Sequence, residues 1–193
     1  MNKRIFIGVF FTVFILSITT IFLIFNYFTP SRSAKINSMH IKSQVEIIYD
    51  SWAIPHIYAN SENDAYYSLG FVHAQERLFQ MEMLRRVSKG ELSEIFGIKA
   101  LETDKFFRTM RIRSIAKDIV KKIDKETKSY RALLSYLKGI NEYIKIGKIP
   151  LEYKLLGIDK KEFSEEDIFS ITGYMAFSFL QCFKIDPYLE LVK

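Results

Sequence analysis

The chain has 193 residues, with 28 Lys and Arg against 22 Asp and Glu, a formal charge of +6, and 49% hydrophobic residues. Its single cysteine excludes an internal disulfide and a cysteine-built metal site. Basic residues alternate with acidic ones, as in Asp124-Lys-Glu-Thr-Lys128, and form no stripe with stacking aromatics, which excludes a nucleic-acid partner.

From Ile5 to Phe28 no residue is charged, and Phe, Ile, Leu and Val dominate a run long enough to cross a bilayer as a helix. The run ends in Asn26-Tyr-Phe-Thr-Pro30 rather than in a small-residue cleavage site, so residues 1–28 are expected to be an uncleaved anchor. Lys3 and Arg4 hold its start in the cytoplasm. That predicts a single-pass protein of the cytoplasmic membrane with most of the chain outside. Arg32, Lys35 and Lys42 weaken the charge asymmetry and are placed to meet anionic headgroups. Residues 29–43 are polar, hold Pro30 and several serines, and read as a tether; the folded domain is expected over 44–193.

Val45, Ile47 and Tyr49 alternate with Glu46 and Ile48, which predicts a strand with one buried face, closed by Pro55. A second short strand is expected over 56–59. Ser61 and Asp64 form a capping pattern that opens a helix over 62–88. Ala65, Leu69, Val72, Phe79 and Met83 are its expected apolar face, interrupted by Glu76. A carboxylate there requires a partner from another element, because Arg77 points elsewhere. Lys89-Gly90 stops this helix, a helical turn over 91–96 is closed by Gly97, and Thr103-Asp104 begins the next helix. Tyr130, Leu133, Leu134, Leu137, Ile140, Asn141 and Ile144 mark one face of a further helix that ends near Gly147. Ser164-Glu-Glu-Asp167 is a capping box that opens an apolar helix over 165–182. The pattern as a whole is α+β, mostly helical, with two or three short strands.

The residues that usually carry chemistry make no self-contained site. His40, His56 and His73 stand at no metal-ligand spacing, and no Gly-x-Ser-x-Gly elbow presents a serine. His56 reads as a turn residue bonded to the backbone, and His73 as a packed helix histidine.

The ordered set Tyr49-Asp50, Trp52-Ala-Ile-Pro-His-Ile57, Asp64-Ala65, Gly70-Phe-Val-His-Ala-Gln-Glu-Arg-Leu-Phe-Gln-Met-Glu82, Arg85-Arg86 and Gly90-Glu-Leu-Ser-Glu94 resembles the α chain of the penicillin acylase family. The likeness continues at Gly97, Asp104, Arg108, Glu152-Tyr-Lys-Leu-Leu-Gly157, Phe163 and Asp167. It implies the α-chain part of an N-terminal nucleophile hydrolase, a four-layer αββα sandwich that cleaves linear amides of N-acyl compounds such as β-lactam side chains and acyl-homoserine lactones. In that family a precursor is cut into two chains, and the first β-chain residue, usually Ser, attacks with its own amine as base. The oxyanion donors also belong to the β chain. The resemblance therefore implies no catalytic residue in this chain and no activity without a β chain.

The resemblance also implies that Met175 and Phe179 form part of the acyl-side pocket, although on an apolar helix the same residue types serve equally as core. Ser178 stands where one branch carries Arg. A structural calcium is implied between the chains, with Glu190, or else Asp186, supplying an α-chain carboxylate; the chemistry itself requires no cofactor. Tyr49 and Ala53 depart from the Arg and Gly of many relatives. The competing reading is a non-catalytic, membrane-anchored module that binds a partner, or a defunct fragment, in place of the α chain of a truncated precursor or split-gene product.

Overall fold

The computed structural model describes residues 3–30, 32, 38 and 40–182. Helix α1, Lys3–Phe28, follows directly from the uncharged run. Its polar side chains turn back on the helix: Thr19, Thr20 and Asn26 donate to the carbonyls of Ile15, Leu16 and Phe22, leaving an apolar surface. The stretch Val9–Phe28 has a mean hydropathy of 2.3 and is not buried by the rest of the chain. Such length and apolarity suit a signal sequence or a membrane span.

Strands β1, Glu46–Tyr49, and β2, Pro55–Tyr58, pair antiparallel with Ile47 opposite Ile57 and Tyr49 opposite Pro55. Asp50 shapes the turn, its Oδ1 accepting from the amides of Trp52 at 2.9 Å and Ile54 at 2.8 Å. Ala53 completes it at φ 61°, a left-handed conformation that costs a residue with a Cβ about 1–2 kcal/mol. Pro55 begins β2 instead of closing β1. The first position of an edge strand tolerates a residue without an amide hydrogen. The inner face is only half-buried, because no third strand flanks the pair among the described residues.

Helices α2, Glu62–Lys89, and α6, Lys128–Ile146, form the centre of the domain. Ser61 caps α2 by accepting from the Asp64 amide at 3.1 Å. The Asp64 carboxylate does not complete the reciprocal box; it accepts from the Lys42 amide and the Ser43 hydroxyl, both at 3.1 Å, and so fastens the preceding segment to the helix. The helices cross at two glycines. A Cβ on Gly70 would lie 2.0 Å from the Tyr136 carbonyl oxygen, and one on Gly139 would lie 1.9 Å from that of Tyr67. Around this contact Phe71, Ala74, Leu78, Leu137, Ile140, Tyr143 and Ile144 make the core, joined by Tyr153, Ile158 and Phe163.

The buried face of α2 differs from the expected stripe. Val72 is buried, but Ala65, Leu69, Phe79 and Met83 are only half-buried, and Tyr67, Phe71, Ala74 and Leu78 take the interior instead. Two causes combine: α2 is covered by α6 on one side and by later helices on another, and Arg77, at φ −138° and ψ 21°, breaks the helical phase between the two halves.

Gly90, at φ 67°, ends α2, where a Cβ would lie 2.6 Å from the Asp104 carbonyl oxygen. Helix α3, Ser93–Phe96, and a 3₁₀ turn, Gly97–Ala100, lead to α4, Leu101–Thr109. Thr103-Asp104 is therefore not a helix start. Asp104 lies inside α4 and its carboxylate accepts from the amides of Leu92 at 2.8 Å and Ser93 at 2.7 Å, covering the free donors at the start of α3. Left-handed Arg111, φ 57°, then separates α4 from α5, Ile112–Lys122. The short α7, Leu151–Leu155, and the long α8, Glu165–Cys182, complete the order, with α8 lying chiefly against α5 and α2.

Candidate functional site

Charge buried inside α2 positions α8. Glu82, 1% exposed, accepts from Arg85 Nη2 and from Arg86 Nε at 2.7 Å, and Arg86 reaches on to Glu94 at 2.8 Å. Arg85 in turn donates to the carbonyl of Glu162 at 3.2 Å and stacks its guanidinium 4.4 Å from the Phe163 ring centroid. Asn141 of α6 holds the same segment from the other side, donating to the Phe163 carbonyl and accepting from its amide, both at 2.8 Å. Asp167 closes the arrangement by pairing with Lys89 and accepting from the Ser164 hydroxyl at 2.7 Å. Burial opposes ionisation of Asp167, but Lys89 and Ser164 outweigh it and hold the carboxyl below its usual range. The start of α8 is thus clamped by α2 and α6.

Beyond that clamp, α8 divides into two faces. Tyr174 and Phe177 turn inward against Phe107, with Phe177 also against Phe106, at centroid distances of 5.4–5.7 Å. Met175 and Phe179 turn outward, 46% and 64% exposed, and stand one helical turn apart with Leu180 beside them. The two residues expected at an acyl pocket therefore share one open face and do not fill the core. Ser178 is half-buried and donates to the Tyr174 carbonyl at 3.0 Å. Glu190 and Asp186 lie outside the described residues. Among the described residues no group of three or more His, Cys, Asp or Glu is placed to hold a metal.

Glu76 has the partner its position demanded, drawn from a segment that composition marks only as a tether. Arg32 donates to both carboxylate oxygens, at 2.9 and 2.7 Å, with its guanidinium 5.3 Å from the Tyr49 ring centroid. The bond to Glu76 raises the Arg32 pKa, and burial raises that of Tyr49. Arg32 and Tyr49 border a cavity of about 320 Å³ lined also by Ile41, Ile47, Tyr67, Phe71 and Tyr143; neither Met175 nor Phe179 lines it.

The histidines hold structure. His56 Nε2 lies 3.3 Å from the Asp50 carboxylate, a side-chain partner where a backbone one was expected. His73 Nδ1 lies 2.9 Å from the Tyr136 hydroxyl across the α2–α6 crossing, and desolvation there lowers its pKa.

Comparison with known proteins places this architecture. A family model described as penicillin amidase matches residues 44–190. The penicillin acylase 2 proenzyme of Pseudomonas sp. (strain SE83) is 37% identical over 131 residues, 67% of this chain and 17% of that protein. The penicillin G acylase of Escherichia coli is 32% identical over 69% of this chain and 16% of its own length. An acyl-homoserine lactone acylase QuiP of Pseudomonas aeruginosa is 31% identical over 66% of this chain and 15% of its own. The chain thus spans 15–17% of the length of these curated relatives. Among solved structures, a thermostable penicillin G acylase from Alcaligenes faecalis superposes with a TM-score of 0.61 at 26% identity, over 72% of this chain and 75% of that one.

Proposed function

Because the chain belongs to the penicillin amidase family, we propose that it is the α-chain portion of an amidohydrolase acting on the linear amide bond of an N-acyl compound. The observation that carries this reading is the open face of α8. Met175 and Phe179 are presented outward by a helix whose other side packs on Phe106 and Phe107, so their surface is available to an acyl group or to a second chain. A thioether and an aromatic ring one turn apart suit an apolar acyl chain better than a polar one, and burying either residue contributes about 1.5–3 kcal/mol.

In this reading the β chain supplies the nucleophile, whose own terminal amine is the base, together with the oxyanion donors. This chain shapes the acyl side of the cleft and contributes the hairpin, whose free edges are completed by β-chain strands in the αββα sandwich. A structural calcium, if shared with the β chain, would take one carboxylate from Glu190 or Asp186, and its other oxygen ligands from the partner. Residues 5–28 anchor the assembly in the cytoplasmic membrane with the domain outside.

The test is to express the chain alone and together with a family β chain, and to follow chromophore release from phenylacetyl and fatty-acyl anilides. Turnover is expected only from the pair. Turnover by the single chain would end the two-chain reading, and a stable pair without turnover would identify a binding module instead.

A further inference from the structure

The end of α1 is held against the domain by side chains. Lys148 Nζ donates to the carbonyls of Thr29 at 2.9 Å and Asn26 at 3.3 Å, covering unpaired acceptors at the helix C-terminus. Lys154, on α7, places its ammonium 5.5 Å from the ring centroids of both Tyr27 and Phe28. Leu151 of α7 shares a cleft with Ile24, Phe25 and Phe28. One turn further along the same face of α7 comes Leu155, about 6 Å away by helical rise. It is 73% exposed, and the neighbouring Leu156 is also exposed.

This geometry constrains where α7 stands relative to a bilayer. In a spanning α1, the Tyr27-Phe28 pair ends the apolar run at the headgroup level where amphipathic aromatics settle. The interfacial layer is only about 5–8 Å deep on each side of the hydrocarbon. Lys154 reaches those two rings and Leu151 shares a cleft with Phe28, so α7 stands beside the end of α1. Resting on the anchor reading given above, we infer that the Leu155-Leu156 edge of α7 is a second membrane contact, seated at the boundary between headgroups and acyl chains. Lys154 sits at headgroup height, and the two leucines bury apolar surface that the domain leaves uncovered. The contact would fix the orientation of the domain on the membrane, so that α1 is a rigid mount and not a swivel.

The experiment uses the full chain in phosphatidylcholine and phosphatidylglycerol vesicles, with Cys182→Ser as background. Leu155→Cys, Phe14→Cys and Ile98→Cys variants are each labelled with an environment-sensitive dye and exposed to brominated lipids. Phe14 lies within α1, and Ile98 is an exposed apolar residue that follows the C-terminal end of α2. The expected result is loss of fluorescence at 155 with lipids brominated near the headgroup, at 14 with lipids brominated deep in the chains, and at 98 with neither. Deep quenching at 14 without more quenching at 155 than at 98 overturns the surface contact while leaving the anchor standing. Absence of quenching at 14 overturns the anchor, and the contact falls with it.

Discussion

The α2–α6 crossing and the outer face of α8 use similar side chains to opposite ends. At the crossing, Phe71, Leu78, Ile140 and Tyr143 are closed over by neighbours from the same chain, and the backbones approach so nearly that Gly70 and Gly139 leave no room for a methyl. On α8, Met175, Phe179 and Leu180 face outward although the helix is clamped at its start by Arg85, Lys89 and Asn141. The hairpin behaves like α8, with Ile48, Trp52, Ile54 and Tyr58 exposed around a two-stranded ladder. The contrast teaches that one part of the domain covers its own apolar surface, while the other leaves apolar side chains uncovered. The ionic clamp fixes the start of α8 against α2 and α6.

The sharpest way to break the comparison is through the clamp. Glu82→Ala leaves Arg85 and Arg86 buried without their carboxylate and should destabilise the domain by about 3–5 kcal/mol, seen as a lowered urea midpoint of the full chain in detergent. A midpoint unchanged by this substitution would mean the network does not hold α2 and α8 together. Gly139→Ala should cost about 1–3 kcal/mol or more, because its Cβ meets backbone and not a yielding side chain. Circular dichroism melting would reveal whether the two helices can part to admit it.

Acid should weaken the same half. Burial opposes ionisation of Asp104 and Asp64, yet hydrogen bonds from Ser93 and Leu92, and from Lys42, Ser61 and Ser43, hold both carboxyls below their usual range, as Lys89 and Ser164 do for Asp167. Depressed folded-state values stabilise the domain above the unfolded carboxyl pKa near 4, and that contribution is lost as pH falls through the folded values. The urea midpoint should therefore decline below about pH 4, and less so in Asp104→Asn than in the parent.

Smaller effects belong to the open half. Ala53→Gly relieves a left-handed alanine and should stabilise the hairpin by up to about 1 kcal/mol, read as a higher melting temperature. Phe179→Ala should alter the stability of the chain by no more than about 0.5 kcal/mol, since its ring is uncovered. In the proposed complex with a β chain, the same change should raise KM for aromatic acyl substrates relative to short aliphatic ones. A large loss of stability without a change in selectivity would return Phe179 to the core.

Much of this was legible in the residues themselves. The uncharged run of α1, the Gly90 stop, the Ser61 and Ser164 caps and the apolar period of α6 are local signals, decided by backbone geometry and hydrogen bonding within a few residues. Even the need of Glu76 for a distant partner followed from its place on an apolar helix. What the residues did not reveal were long-range choices. Asp104 resembles a helix start, but it caps a different helix twelve positions back, because α4 folds beside α3. Arg77 carries no helix-breaking signal, but its non-helical conformation shifts the buried face of α2, which α4, α5, α6 and α8 all contact. Arg32 and Glu76 stand 44 positions apart in the chain, and only the tertiary structure pairs them.

For Met175 and Phe179, sequence determined the residue type and the shared helical face, and left pocket and core equally open. Only the tertiary structure turned that face outward. Exposure is a property of what α4, α5 and α2 cover, and the period of a single helix cannot say which of its apolar sides finds a neighbour.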